Sequence, residues 1–577
     1  MKKKLLSLLL ALTLLLSLFA GCGDSAASSA VAEGSEPAAA ESAQVPEVAE
    51  APAEEPAEVA SAPEASLVED VPAEIVYEKV PVELPLGDGD EISMFLLVPP
   101  FVSPMLGEAG NLSVLKELSA RTGLSFAITE GSYLDGQNAI NLMMAAGEYC
   151  DVINHADLYA AGIDAAVNEE IVIDLSDYIL NDMPNLLATI KGFDVDVLKQ
   201  ITTDSGYIPY FPQMHKEPVV DNFLTGIRKD LMDELGLEIP TTYDEFHNVL
   251  SAINAEYGLQ YGLDPGGFDQ SLLTGLNVKP GNAGLEGLIV VDGEVKFAGE
   301  QDAMYDYFEM ISTWYAEGLI FSDFISYETF DQTKMIPAGT LFGSGNVNAQ
   351  TISEADAAGT GAVVEAIPYL TKTGSDEIKV FGNGEIVRCA AWSVSTQASP
   401  ESIDLIVGLV DYLFSDEGSI LFNYGVEGEA HVLDENGAPV WSDLVMTYAG
   451  GTTTAAFLYA TATPTEYLPG SYDDAKFSYS YTEAMLAADD YINNSSTGEY
   501  DFPMGAENRI SSEDSVTAAN LSSDINTYIS ETILSWIHGE QELNEASWQA
   551  YIDNCYNMGM QDILDIYQGA YDEFMAA

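Results

Sequence analysis

Basic residues are scarce in this chain. Across 577 residues, 19 Lys and Arg stand against 93 Asp and Glu, a formal net charge of −74. Affinity for nucleic acid comes mainly from Lys and Arg displacing counterions from phosphates, so the shortage argues against DNA and RNA as partners. It also removes the clustered cations that hold a protein to anionic lipid headgroups, which leaves a covalent lipid or a partner as the route to a membrane. Cysteine is nearly absent as well: Cys22, Cys150, Cys389 and Cys555. Beyond Cys22 the number is odd and the spacing wide, which excludes a disulfide framework and a thiolate zinc site. The five histidines, His155, His215, His247, His431 and His538, form no His-Glu-x-x-His pattern, and the chain has neither Gly-x-Ser-x-Gly nor a phosphate-binding glycine loop. No catalytic residue, metal or cofactor is expected. Apolar residues are not lacking: hydrophobics make up 47% and aromatics 10%, enough to bury a sizeable core.

The N-terminus carries Lys2, Lys3 and Lys4, an apolar run over residues 5–19, and the small residues Ala20 and Gly21 before Cys22. The run is short for a bilayer span and is followed by a cleavage-like site, the pattern of an exported signal peptide over residues 1–21. The tail Leu18-Phe-Ala-Gly-Cys22 resembles a bacterial lipobox, which implies lipid attachment at Cys22 and anchoring at the outer face of the cytoplasmic membrane. Residues 23–71 hold no Lys, Arg or aromatic and consist mainly of Ala, Ser, Pro, Val and repeated acids. Such a composition cannot offset the entropy of ordering, so residues 22–87 are expected to be a disordered stalk.

The body, residues 88–577, opens on an apolar run from Ile92 to Val98, bounded by Gly89 and Pro99-Pro100. This is the signature of a strand covered on both faces. Leu112, Leu115 and Leu118 then recur at helical spacing, Leu124, Phe126 and Ile128 alternate, Ile140, Met143 and Ala146 return to helical spacing, and Val152-Ile153 starts a third strand. Strand and helix in alternation imply a parallel sheet with ligand held beyond the strand C-termini. Thr242 with Glu245 reads as a capping box, and Ser399-Pro400 as a helix start. The last hundred residues carry several helical stripes; Cys555 lies on one of them with Trp548, Tyr551 and Ile552.

Segments spread along the body resemble extracellular solute-binding proteins of family 1, in the long lipoprotein subgroup of ABC sugar importers. They are LKELSARTG (115–123), NLMMAAGEY (141–149), IDLSDY (173–178), RKDLMDELGLEIPTTYDEF (228–246), WYAEGLI (314–320), WSVS (392–395), YLFSDEGS (412–419), NYGVEG (423–428) and IYQGAY (566–571). The resemblance implies an α/β, two-lobed periplasmic-binding-protein-like clamp with a hinge and a helix-rich C-terminal region. It implies one lobe at about 88–211 and 334–389, the other at about 216–333 and 396–577, and crossings near Pro212, Thr333 and Trp392. The expected partners are a neutral oligosaccharide and ABC permease subunits, with the protein a monomer. Many members of the subgroup carry a calcium loop after the TTYDE helix. Residues 253–263 here, INAEYGLQYGL, hold one carboxylate, too few oxygens for a hard cation.

A sugar needs aromatic platforms and side chains that both donate and accept hydrogen bonds. By position the candidates are Asn154, Asp157 and Tyr159 after the third strand, and Tyr210, Phe211 and Gln213 at the first crossing. Phe268 comes from a Pro-Gly-Gly loop, Asn346 from a Gly-Ser-Gly loop, Trp392 from the last crossing, and Tyr424 and Glu427 from the NYGVEG segment. Two other readings remain open: a ligand-presenting sensor or adhesin, and a secreted glycan-active enzyme, since paired carboxylates leave no linear motif.

Overall fold

The computed structural model describes residues 77–98, 108–216, 224–278, 287–326, 334–347, 352, 355, 358–374, 376, 378, 386–448, 468–473 and 499–577. The expected signal peptide, Cys22 and the stalk up to residue 76 lie outside them.

The run after Asp90 forms β1 (Glu91–Val98), whose residues Ile92 and Met94 are fully buried and whose Phe95 to Val98 are nearly so. It pairs in parallel with β2 (Ser125–Ser132) along its whole length, from Glu91 opposite Ser125 to Val98 opposite Ser132. On its other side lies β3 (Val152–Asn154), also parallel. The connecting helices are Ser113–Thr122 and Gly136–Ala146, each closed by a left-handed glycine, Gly123 and Gly147. At Gly123 the absence of a side chain matters twice. Its φ of 71° disfavours an L side chain, and a Cβ there would stand 2.3 Å from the Gly87 carbonyl oxygen.

That close approach corrects the expected boundary at residue 87. Leu86 and Gly87 both donate to the Thr122 carbonyl, at 2.8 and 3.1 Å. The Val80 amide donates to Asn185 Oδ1 at 2.7 Å, and Val82, Leu84 and Leu86 pack on the core beneath. Residues 80–87 are thus a strap docked on the body, held by apolar side chains at alternate positions.

The first sheet continues with β4 (Phe211–His215), β11 (Val387–Val394) and β14 (Gly470–Tyr472), in the order β14-β4-β11-β3-β1-β2. A second sheet has the order β10-β5-β9-β6, built from β5 (Leu224–Arg228), β6 (Gln260–Gly262), β9 (Leu341–Val347) and β10 (Val364–Ile367). Two small sheets complete the set: β7 (Leu288–Val291) between β8 (Glu294–Phe297) and β15 (Glu499–Asp501), and the hairpin of β12 (His431–Leu433) and β13 (Pro439–Trp441).

Each large sheet has its own core. Trp392, Phe211 and Tyr210 sit in the first, with the helix Pro400–Phe414. The second joins the capping-box helix Tyr243–Tyr257 to the C-terminal helices Ser512–Ile537, Glu545–Asn557 and Met560–Ala576. Its centre is aromatic: the rings of Trp548 and Tyr551 lie 5.2 Å apart and those of Trp536 and Tyr551 5.4 Å. Cys555 is fully buried in that layer, and burial pushes its thiol up to about 12.

The lobe boundaries differ from expectation. β9 and β10 both pair with β5, with Leu224 opposite Val347 and Ile367 opposite Thr225, so residues 334–370 belong to the second sheet rather than the first. Conversely Ile406, Val407, Leu409, Leu421, Leu468 and Tyr472 are buried in the first core, which therefore claims residues 400–448 and 468–472. The expected crossing at Thr333 lies outside the described residues; Phe324 before it and Phe342 after it are both buried in the second core. Trp392 lies inside β11, past the crossing. The chain passes between the sheets from His215 to Leu224, from residue 378 to Val387, and from Tyr472 to Glu499. Residues 253–263 hold no loop: they are the end of the helix Tyr243–Tyr257, its cap Gly258, and β6.

Candidate functional site

β1, β2, β3, β4 and β14 run in one direction, with β11 opposed to its neighbours β3 and β4. Val98, Ser132, Asn154, His215 and Tyr472 therefore end on a single edge, which Val387 also reaches as the first residue of β11. All three passes out of the first sheet use that edge. In the second sheet β6 and β9 are parallel, β5 opposes β9 and β10, and the end reached by Gly262, Val347 and Ile367 is also where β5 starts at Leu224. Residues 216–223 link the two edges, and at about 3.5 Å per residue they hold them within about 30 Å of each other. Open α/β sheets bind ligands at such edges because loops and unpaired backbone groups converge there.

At the first edge, β3 runs into His155, held at φ 55° and ψ 44°, a left-handed conformation uncommon for a residue with a side chain. A single 3-10 turn, Ala156–Leu158, follows. It brings Asp157 Oδ1 to 3.5 Å from His155 Nδ1, and that oxygen is buried with no hydrogen-bond partner. Leaving such an acceptor unmade costs about 1–3 kcal/mol. Tyr133, just past β2, presents its ring edge-on to His155 at 6.3 Å and is 40% exposed. A strained backbone, an unsatisfied carboxylate oxygen and an open aromatic ring thus meet where the topology puts the ligand. Tyr159 follows, its hydroxyl donating to Glu169 Oε2 at 2.9 Å.

The second edge carries a buried acid. Asp269 caps the helix Gln270–Gly275, accepting from the Leu272 amide at 3.0 Å, while the Tyr261 hydroxyl donates to Oδ2 at 2.6 Å. Burial pushes this carboxyl up to about 7. It fits because β9 has no side chain at Gly345, where a Cβ would lie 1.8 Å from Oδ1. Thr225 and Ser271 share a hydroxyl hydrogen bond of 2.9 Å beside it. Phe268, one residue earlier, is half-buried with its ring 5.8 Å from that of Phe308. Asn346 lies on β9 next to Gly345; its side chain is outside the described residues.

At the crossings, the Tyr472 ring lies beneath the Arg388 guanidinium, at 5.2 Å, and edge-on to His215 at 5.8 Å. The Lys216 amide donates to the Tyr472 carbonyl at 3.0 Å and its Nζ to Asp473 Oδ2 at 2.8 Å. Asn423 fastens this corner, donating to the Ser471 carbonyl and accepting from the Asp473 amide, both at 2.9 Å. Tyr424, the next residue, packs against Trp441 at 5.2 Å, and Glu427 is exposed beyond it.

The remaining sequence candidates turn inward. Asn154 accepts from the Leu97 amide at 3.1 Å and donates to the Ala391 carbonyl at 2.8 Å, linking β1 to β11 across β3. Gln213 donates to the Leu468 carbonyl at 3.1 Å, and Tyr210, Phe211 and Trp392 are core residues. Sequence reading missed Tyr133, Asp269, Lys216 and Arg388. Asp269 alone carried a local signal, an Asp ahead of the helical run Ser271-Leu272-Leu273.

Among solved structures, the chain is similar to the alginate-binding protein AlgQ2, crystallised without calcium ion, at 19% identity and a TM-score of 0.66, covering 84% of this chain and 99% of that one. It is similar to the ABC-transporter substrate-binding protein FusA of S. pneumoniae in complex with kestose, at 19% identity and TM-score 0.68, covering 84% and 100%. An HMO-binding, ABC-transporter-associated solute-binding protein of Bifidobacterium longum infantis gives 20% identity and TM-score 0.64, covering 84% and 99%. No protein-family model matches the chain, and no curated protein matches it in sequence. The likeness is one of fold: the mixed α/β, two-lobed architecture of substrate-binding proteins.

Proposed function

We propose that this chain is an extracellular solute-binding protein, held to the cytoplasmic membrane by a lipid on Cys22, that captures an oligosaccharide and delivers it unaltered to an ABC importer. The observation that carries the reading is the strand-end edge of the first sheet, which all three passes out of that sheet use, one of them leading through residues 216–223 to the strand-end edge of the second. A solute touching both edges favours the closed arrangement by its differential affinity for it, and so shifts the hinge equilibrium. Tyr133 offers a face for sugar C–H groups, and Asp157 Oδ1 an acceptor for a hydroxyl. The protein acts as a monomer, its importer subunits being its only protein partners.

The test is a thermal-shift panel of oligosaccharides on the mature chain, followed by mass analysis of the recovered sugar. Binding to the native state alone raises the melting temperature. An upward shift with sugar recovered intact supports the reading; a cleaved or modified product overturns it in favour of an enzyme. Fatty-acid labelling of the wild type, lost in Cys22→Ser, tests the anchor.

A further inference from the structure

We propose that the helix Ser512–Ile537 couples the two ligand edges mechanically: its first turn bears on the loop after Asp157, its last turn on the loop before Asp269, and a shift at one loop is passed to the other. The inference rests on the binding reading for its purpose, but the coupling is a property of the chain without solute and stands or falls by itself.

Both contacts fall on glycines. At the first edge the chain leaves Asp157 through Tyr159 and turns at Gly162, whose amide donates to the Tyr159 carbonyl at 2.8 Å. A Cβ on Gly162 would stand 2.9 Å from Ser515 Oγ, so the helix comes as near this loop as a bare backbone allows. At the second edge the Gly267 amide donates to the Asp264 carbonyl at 2.8 Å, which folds the loop ahead of Asp269. A Cβ on Gly267 would lie 2.6 Å from Ile537 Cδ1 and 3.7 Å from Ile533 Cγ2. The Tyr307 hydroxyl also holds this loop, donating to the Gly267 carbonyl at 3.0 Å. Phe268 reaches the same helix through one intermediate ring: Phe268 lies 5.8 Å from Phe308, and Phe308 6.1 Å from Trp536.

Between the two contacts the helix is unbroken. Residues 512–537 include neither Gly nor Pro, at which helices most often bend. At about 1.5 Å per residue, Ser515 and Ile533 stand about 27 Å apart along the axis. Ile529, Ile533, Trp536 and Ile537 are buried and fix the last turns in the second core. The first turns stand largely clear of it: Ser511 caps the helix by accepting from the Asp514 amide, and over residues 512–521 only Ala518 is buried. A stiff rod embedded at one end and resting on a loop at the other acts as a lever. Displacing the Gly162 loop tilts it, and the close-packed side chains around Ile533 and Ile537 have no slack to absorb the tilt. A solute that settles one loop therefore lowers the cost of settling the other.

The experiment is hydrogen exchange read by mass spectrometry on the full mature chain without solute, with β1 as the reference for global opening. Ser515→Phe wedges a ring against Gly162. Expected is exchange about threefold or more faster in residues 155–162 and, through the helix, in residues 263–269 as well. Asn520→Gly with Asp524→Gly softens the rod between the contacts at two exposed positions. In that background Ser515→Phe should still loosen 155–162 but leave 263–269 as in the softened parent. Should the ring unfold the chain, which faster exchange in β1 would reveal, Ser515→Val is read in the same way. Ile537→Ala, which vacates the contact at Gly267, should change exchange at 155–162 only with the stiff helix. An effect of Ser515→Phe confined to 155–162, or none at either loop, overturns the coupling. So does an effect at 263–269 that survives the two glycines, since it travels by another route. None of these outcomes bears on whether a solute binds, which the thermal-shift panel decides.

Discussion

Asn508 donates through Nδ2 to the Tyr210 hydroxyl at 2.9 Å, so a residue that follows the third crossing is fastened into the first core. The same amide reaches the Gln200 carbonyl at 2.9 Å, the Asp204 amide donates to the Asn508 carbonyl at 3.1 Å, and Arg509 donates to the Thr203 carbonyl at 2.9 Å. The neighbouring Phe502, Ala506 and Ile510 belong to the second core. Residues 502–511 therefore form a polar brace between the two halves, beside the three covalent crossings.

Replacing Asn508 by Ala should strip a buried carbonyl and a buried hydroxyl of their donor. The expected cost is about 1–3 kcal/mol. Urea unfolding of the mature chain measures it, and an unchanged midpoint would show that the brace contributes nothing.

Asp157→Asn separates ligand contact from stability. The buried oxygen makes no hydrogen bond and its contact with His155 Nδ1 is long, at 3.5 Å, so unfolding free energy should move by less than about 1 kcal/mol. Solute affinity should drop about tenfold, equivalent to about 1.4 kcal/mol. A large loss of stability with unchanged affinity would assign the residue to the scaffold.

Asn154→Ala should behave in the opposite way. Its amide spans from the Leu97 amide to the Ala391 carbonyl, and losing both bonds in the interior should cost about 2–4 kcal/mol. Affinity measured on the folded fraction should stay within twofold of wild type.

Asp269 gives a pH signature. In the fold its carboxyl titrates at about 7, above the usual value of about 3.9 for an unfolded chain. The native state thus holds the proton more tightly. The resulting stabilisation is complete below about pH 4 and is lost as pH rises to about 7, at up to about 1.4 kcal/mol per pH unit. Asp269→Asn cannot titrate. The stability difference, variant minus wild type, should therefore climb between about pH 4 and 7 and level off above; a flat difference across that window would refute the assignment.

The local elements were legible because their signals are local. The Thr242–Glu245 capping box forms as read, Ser399 caps a helix with Pro400 at its first position, and the runs at Ile92, Phe126 and Val152 are strands. The division between lobes was not legible. Which strand pairs with β5 depends on partners more than a hundred residues away, and nothing in Leu341–Val347 declares its neighbour. Trp392 and Tyr210 looked like sugar platforms because an aromatic residue reads alike in a core and in a cleft. The strap was hidden by its prolines and acids, although Val80, Val82, Leu84 and Leu86 alternate as an edge segment would. The corner at Tyr472 was invisible for another reason: Lys216, Arg388 and Tyr472 are far apart in sequence and meet only once β4, β11 and β14 are aligned.

The docked strap also has a mechanical consequence. Val80 is held by Asn185, and Leu86 and Gly87 by Thr122, all in the N-terminal half of the body. A pull on the chain ahead of residue 80 would load that half alone. The other half would bear no tension, like a door on a fixed post, and its swing would cost the same whether the stalk was taut or slack.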